Sequence, residues 1–287
     1  MLGRLFAYLQ YVLPRYWLTS IVYRLARVRW RGCKDFLIMR FIRMYAVDTG
    51  DVKLEVPAGF TTFNDFFIRE LRVEARPIDA TVDALVAPVD GTVSQAGYLR
   101  EDVILQAKGR DYTLDDLLAT DIDEARAYVD GAFVTLYLAP YNYHRVHAPI
   151  SGDLVVARYV PGDLFSVNTA TAAVVPGLFR RNERLILQFR TSLGPVAVIF
   201  VGALNVGSIS TRWSGEIRPR RTGLVETIDL GAGPSHVDKG DLLGWFNMGS
   251  TVIVLLPRGV CEWHDEIEPG ASVCMGRSIA TLSTGDS

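Results

Sequence analysis

Gly249-Ser250-Thr251-Val252-Ile253-Val254-Leu255-Leu256-Pro257 decides how the rest of the chain reads. A run dominated by β-branched and leucine side chains, bounded by glycine and proline, is too short for a stable helix and reads as a strand entered through a turn. The same texture recurs from Ala84 onward, in Gly91-Thr92-Val93, Phe133-Val134-Thr135-Leu136-Tyr137, Leu154-Val155-Val156, Leu185-Ile186-Leu187 and Val196-Ala197-Val198-Ile199-Phe200. Glycine and proline turns separate these runs, and their spacing predicts a β-rich sandwich or barrel. One helix interrupts the pattern, starting at Thr113, where Thr113-Leu114-Asp115-Asp116 resembles a capping box. Ala87-Pro88-Val89-Asp90-Gly91 and Ala148-Pro149-Ile150-Ser151-Gly152 form a weak internal echo, each ahead of an apolar strand.

The first 47 residues are different. Leu2, Leu5, Phe6, Leu9 and Leu13 recur at helical spacing. Trp17, Leu18, Ile21, Val22 and Leu25 continue after Pro14, and Phe36 to Phe41 supply a third piece. A further short helix is expected over Phe63 to Leu71. The fold class is therefore α+β, with an N-terminal amphipathic helical segment over residues 1–50 and a β-rich body over 51–287. Residues 1–43 carry nine basic side chains (Arg4, Arg15, Arg24, Arg27, Arg29, Arg31, Lys34, Arg40, Arg43) against Asp35 alone. That segment is near +8 in a chain whose net charge is -2, so the remainder is near -10. Such asymmetry points one end toward an acidic surface and argues against a nucleic-acid partner for the whole chain. Tyr16-Trp17 would suit a water–lipid boundary. A helical cap packed on the body, with its arginines in solvent, reads equally from the same residues.

Composition narrows the classes further. At 49% hydrophobic and 22% charged, the 287 residues can bury a sizeable core. Cys33, Cys261 and Cys274 form no disulfide framework and suit a reducing compartment. No apolar run approaches the ~18 residues of a membrane span, and the stretch Leu5 to Leu13 lacks the marks of a signal peptide.

Three groups of residues carry chemistry. In Met248-Gly249-Ser250-Thr251, a serine directly after glycine can attack its own preceding carbonyl where the backbone bends. An N-to-O acyl shift, β-elimination and hydrolysis then leave a pyruvoyl group. The same residues also read as an ordinary turn before a strand. His144-Arg145-Val146-His147 holds two of the four histidines. On a regular strand these two imidazoles face opposite sides. Asp90 reads either as a turn residue or as the acid that orients a histidine. Two alternatives use other residues. His144, His147, Cys261 and His264 have zinc-ligand types without a zinc spacing. Asp238-Lys239-Gly240-Asp241 would suit a carrier domain in which Lys239 bears the group.

Together with their flanks these motifs resemble the phosphatidylserine decarboxylase proenzyme family, of bacterial type. The resemblance runs from about Phe60 to Pro257. It covers Thr62-Phe63-Asn64-Asp65-Phe66-Phe67-Ile68-Arg69, the Asp90 turn, Ile104-Leu105-Gln106-Ala107-Lys108-Gly109 and Tyr143-His144-Arg145-Val146-His147. It continues through Pro161-Gly162-Asp163-Leu164-Phe165-Ser166-Val167-Asn168, Asn182-Glu183-Arg184, Val201-Gly202-Ala203 and Gly249-Ser250-Thr251. Met248 departs from the leucine common in bacterial members, outside the reacting bond. The resemblance implies self-cleavage between Gly249 and Ser250 into a β chain, 1–249, and an α chain, 250–287, that remain together as a heterodimer, alone or in a higher oligomer. It implies Ser250 as nucleophile, His147 as the base that deprotonates it, Asp90 as the group holding His147, and His144 as proton donor at the substrate Cα. The implied cofactor is the pyruvoyl group derived from Ser250, acting through a Schiff base with phosphatidylserine to yield phosphatidylethanolamine, with no metal or nucleotide. A peripheral protein on the cytoplasmic face of the cell membrane follows, with the loop Pro161–Asn168 as a wall of the site. A pyruvoyl decarboxylase of a soluble amino acid is the rival within the same chemistry, against which the basic amphipathic start speaks.

Overall fold

The computed structural model describes residues 2–107, 110–120, 122–231 and 235–283; Lys108 and Gly109 of the quoted motif, and the last residues of the expected body, lie outside them. Every strand expected from the apolar runs is present and is longer than its apolar centre. Ser250–Leu256 lies inside the largest sheet, hydrogen-bonded on one side to Gly194–Val201 and on the other to Ala132–Leu138. Outward from these run Arg184–Thr191 and Gly152–Val160 in one direction, and Gly91–Tyr98 and Ser272–Val273 in the other. All these pairings are antiparallel. Ser250–Leu256 is buried at every position, which is why it lacks polar alternation: both of its faces are covered. Val198, Ile199, Ile253 and Val254 are fully buried, each contributing on the order of 1.5–3 kcal/mol of apolar burial.

A second sheet runs Gly215–Ile217, Ile209–Thr211, Leu242–Phe246, Arg145–His147. A third joins Ala84–Val86, Ser278–Leu282 and Cys261–Trp263. Among the described residues no sheet closes on itself, so the β-rich body consists of open sheets, not a barrel. The two echoed turns meet: the Val86 amide donates to the Pro149 carbonyl and the His147 amide to the Pro88 carbonyl. This contact carries Asp90 and His147 into one neighbourhood, although they are far apart in sequence.

The N-terminal segment forms three helices, α1 (Leu2–Leu9), α2 (Arg15–Ala26) and α3 (Arg31–Tyr45), and α4 follows at Phe63–Phe67. α4 is shorter than expected. Thr62 and Asp65 close a capping box at its start, and Ile68 leaves helical geometry at its end. At Thr113 a helix does start (Leu114–Leu118), but without the side-chain cap that the sequence suggested. Ala26 and Ile38 of the helical segment pack with Val47, Val52, Phe60, Phe63, Phe66 and Phe67 into a second, smaller core. α1 and α2 are also tied to the body, through Gln10 donating to Thr171 and Arg15 paired with Asp163. The segment is packed on the body as a cap, and it still exposes Tyr8, Val12, Trp17, Trp30 and Phe36. Among the described residues no helix is long and apolar enough to cross a membrane.

Two side chains of Asn182-Glu183 lock the strap Pro161–Asn168 onto the main sheet. Asn182 Oδ1 accepts from the Phe165 amide at 3.0 Å, and Nδ2 donates to the Phe165 and Gly202 carbonyls at 2.8 and 2.9 Å. Glu183 is fully buried, accepts from the Tyr159 hydroxyl at 2.7 Å, and packs where any side chain on Gly202 would stand. Burial raises its carboxyl to about 7, with the Tyr159 hydrogen bond and Arg220 pulling back. A carboxyl raised in the folded state favours folding only while protonated. The stability of the chain should therefore fall as pH rises from about 4.5 to about 7, by on the order of 3 kcal/mol. Urea unfolding of wild type and Glu183→Gln across that range checks it, the Gln variant lacking that part of the slope.

Candidate active site

Ser250 is the first residue of its strand, pairs with Leu138, and is 1% exposed. Its Oγ has no hydrogen-bond partner. A buried hydroxyl without a partner is costly, on the order of 1–3 kcal/mol, and unusual in a finished fold. Gly249 sits just outside the ladder with open space at its Cα: a β-carbon placed there would lie 3.9 Å from both His144 Nε2 and the Leu138 carbonyl oxygen. The bond between Gly249 and Ser250 is thus flanked by an imidazole and by the end of a neighbouring strand.

His144 is fully buried, with its ring against Phe67 at 4.1 Å between centroids. Its Nδ1 bonds to the Asn142 carbonyl at 2.8 Å. A carbonyl only accepts, so Nδ1 carries the proton and Nε2 is left with its lone pair. That Nε2 has no partner. Burial pushes the His144 imidazole down to about 3, with Arg69 acting in the same direction and the Asn142 hydrogen bond opposing. His144 is a neutral base whose free Nε2 lies beside Gly249.

His147 ends the strand Arg145–His147, whereas His144 precedes it, and the two imidazoles have different neighbours: Phe67 for His144, Tyr143 and Gly240 for His147. Its Nδ1 bonds the Gly240 carbonyl at 2.8 Å, and Nε2 meets the Tyr143 hydroxyl at 3.2 Å. Burial lowers its pKa, opposed by the Gly240 hydrogen bond. Asp90 lies near enough to act on His147 through its charge, but its oxygens are taken by Arg76 at 2.6–3.1 Å and by the Met275 amide at 2.9 Å. The expected hand-hold of Asp90 on His147 is thus replaced here by the Gly240 carbonyl, because an arginine outbids a neutral imidazole for a carboxylate.

Behind Gly249 the chain is pinned by Asn247, whose Nδ2 donates to Ser208 Oγ and Ser210 Oγ at 2.8 and 3.0 Å and whose Oδ1 accepts from Asn64 at 3.0 Å. Met248 faces a wholly different environment, an apolar cavity of about 210 Å³ lined by Val22, Leu25, Leu37, Phe41 and Phe63. The two residues before Gly249 thus meet unlike surroundings: Asn247 is held in a polar network, and Met248 opens onto the crevice between α2 and α3.

Comparison with known proteins bears directly on this arrangement. Residues 63–281 match the family model described as phosphatidylserine decarboxylase, and residues 5–46 match a second model, PSD. The chain is similar to the phosphatidylserine decarboxylase proenzymes of Idiomarina loihiensis (41% identity, covering 97% of both chains) and Methylococcus capsulatus (44%, covering 97% of this chain and 96% of the relative). That of Acidovorax ebreus is 45% identical over 94% of this chain and 95% of its own. The chain belongs to the phosphatidylserine decarboxylase family. With that it belongs among the decarboxylases made as proenzymes.

Cys261 and His264 lie on or beside the three-stranded sheet, where Cys261 pairs with Leu282. Among the described residues no group of three or more His, Cys, Asp or Glu is arranged to hold a metal. Lys239 is spent on the Thr81 and Ala84 carbonyls. Its neighbour Gly240 matters instead for its carbonyl, which no side-chain pattern could announce. Arg76, Tyr143, Asn64, Asn247 and Arg69 surround the site and were not singled out. Asn64 and Arg69 stood within a quoted motif, whereas Asn247 had only its proximity to Gly249 to mark it. Because Asp90 and Arg76 are mostly buried, Asp90→Ala in a Ser250→Ala background should cost about 2–4 kcal/mol of unfolding free energy, read by urea denaturation without interference from cleavage.

Proposed function

We propose that this chain cleaves itself between Gly249 and Ser250 and then decarboxylates phosphatidylserine to phosphatidylethanolamine with the pyruvoyl group made from Ser250. The observation that carries this reading is the presence of two buried, unpartnered atoms, Ser250 Oγ and His144 Nε2, at one glycine: Ser250 follows Gly249, and a β-carbon on Gly249 would stand 3.9 Å from His144 Nε2. Family membership supplies the substrate class.

The chemistry balances on this chain's own atoms. Ser250 Oγ gives up its proton and adds to the Gly249 carbonyl carbon. The C–N bond breaks, the nitrogen takes a proton, and an ester joins Gly249 to the Ser250 side chain. Removal of the Ser250 Cα proton expels the Gly249 carboxylate and leaves dehydroalanine. Its imine form takes up water and loses ammonia, and the new α chain starts with a pyruvoyl group. That group supplies a carbonyl that captures the substrate amine and accepts the electron pair left when CO2 departs.

Two imidazoles are at hand for the proton transfers. His144, neutral and with Nε2 free, stands where it can take a proton from the substrate ammonium and return one to Cα. The resemblance gives Ser250's proton to His147, with Asp90 behind it. That assignment requires His147 to leave Gly240 and turn, whereas His144 already faces the bond. The two single alanine variants assign the base, since the chain that stays full length has lost it. The crevice beside Met248 leads from the reacting bond to α2 and α3, whose exposed aromatic and basic side chains suit a membrane surface. In this reading residues 1–50 hold a peripheral enzyme on the cytoplasmic face while 51–287 do the chemistry as a β/α heterodimer.

Intact mass under denaturing conditions tests the proposal. Two chains are expected, 1–249 and 250–287, the smaller lighter by one ammonia than the same peptide starting with serine. Ser250→Ala should remain one full-length chain with no release of CO2 from phosphatidylserine. A full-length mass in active wild type would overturn the reading.

A further inference from the structure

Arg69 is 4% exposed and stands at the end of the motif Thr62–Arg69, just past α4. Its Nη2 donates to the Tyr141 carbonyl at 2.8 Å and to the Asn142 carbonyl at 3.4 Å. The Asn142 carbonyl is the same oxygen that receives His144 Nδ1–H. Asn142 is itself fixed in a tight turn: its amide donates to the Ala139 carbonyl at 2.9 Å, and its Oδ1 accepts from the Ala139 amide at 2.8 Å. The guanidinium lies over the Phe66 ring at 5.3 Å, and Phe67, two residues before Arg69, packs against His144. One short segment thus supplies both the aromatic floor under the imidazole and the cation beside it.

We infer that Arg69 is a positioning residue for His144: by holding the Asn142 carbonyl it helps fix the Nδ1–H tautomer, which leaves the Nε2 lone pair free beside Gly249. The inference rests on the reading of that bond as the reacting centre. Three features set Arg69 apart from a structural arginine. Its Nε and Nη1 have no partner, so full satisfaction of its own donors is not what holds it there. Its desolvation lowers its pKa to about 10, a cost that a neutral side chain at that position would avoid. Its counter-charges are remote or shared: Asp90 belongs to Arg76 by direct hydrogen bonds, Asp48 acts only through space, and Tyr143 and Arg76 are the other titratable groups facing it. Around His144 itself, Arg69 is the charged group whose influence is resolved, together with the Asn142 carbonyl. A second-sphere cation that both orients an imidazole and discourages its protonation is a known way to present a base in a dry site.

The test uses full-length Ser250→Ala precursor labelled with 15N-histidine, in which neither cleavage nor turnover is needed. His144 should show the Nδ1–H tautomer and stay neutral down to pH 5. Adding Arg69→Gln should raise the pH at which the ring protonates or mix the tautomers, and Arg69→Lys should restore that pH by its charge without restoring a single tautomer. In the wild-type background, Arg69→Gln should move the acid limb of the decarboxylation pH–rate profile upward and lower kcat at neutral pH by roughly tenfold or more, part of the 10²–10⁴ that a positioned proton-transfer group supplies, with KM little changed. Identical His144 tautomer and titration in the parent and the Arg69→Gln precursor would overturn the inference, even if the variant were less active. A wild-type chain that never cleaves would instead strike at the function proposed above and leave the histidine spectra to be read on their own.

Discussion

The hydrogen-bond ladder that holds Ser250–Leu256 between Gly194–Val201 and Ala132–Leu138 is the constraint on which the site depends. The strand is buried along its whole length, so its first residue cannot drift: moving Ser250 would pull apolar side chains out of register on both faces. The ladder ends at Ser250, and Gly249 is the first residue free of it. A rigid element therefore meets an unconstrained peptide at one bond. The preceding residues are fastened by Asn247 to Ser208, Ser210 and Asn64, so the unconstrained piece is short.

Most polar groups around this junction find partners: Arg76 takes Asp90, Gly240 takes His147, and Asn142 takes the protonated side of His144. Among those left without one are the buried Ser250 hydroxyl and His144 Nε2, together with the Thr251 hydroxyl and two nitrogens of Arg69. In a low-dielectric interior such leftover groups are expensive. The fold tolerates them because the apolar sheet and the Phe67 ring supply compensating burial.

The helical segment connects this interior to the outside. Its inner face shares a small aromatic core with α4, the helix whose end carries Arg69 and whose Asn64 reaches Asn247. Its outer face leaves tryptophan, tyrosine and phenylalanine in the open. One layer of helices thus touches both the support of the reacting bond and the surface from which a lipid would arrive.

The strands and the helical start were legible in the sequence, as was the Gly249-Ser250 step on which the proposed cleavage rests. Apolar runs between glycine and proline, a one-sided charge distribution and a glycine–serine step before a strand are local properties, and local pattern carries them. The family followed from motifs kept in order along the chain. Tertiary structure alone decided which groups meet. Packing gave His144 and His147 different neighbours, and contact between the two Ala-Pro turns brought Asp90 toward His147 while Arg76 claimed its carboxylate. The Gly240 carbonyl and the Asn142 carbonyl, which set the two imidazole tautomers, are backbone atoms that every residue has, so no residue type signals them. Open sheets rather than a barrel, and a helix at Phe63 that stops early enough to place Arg69 beside His144, likewise depend on packing between segments distant in sequence, which spacing along one chain does not encode.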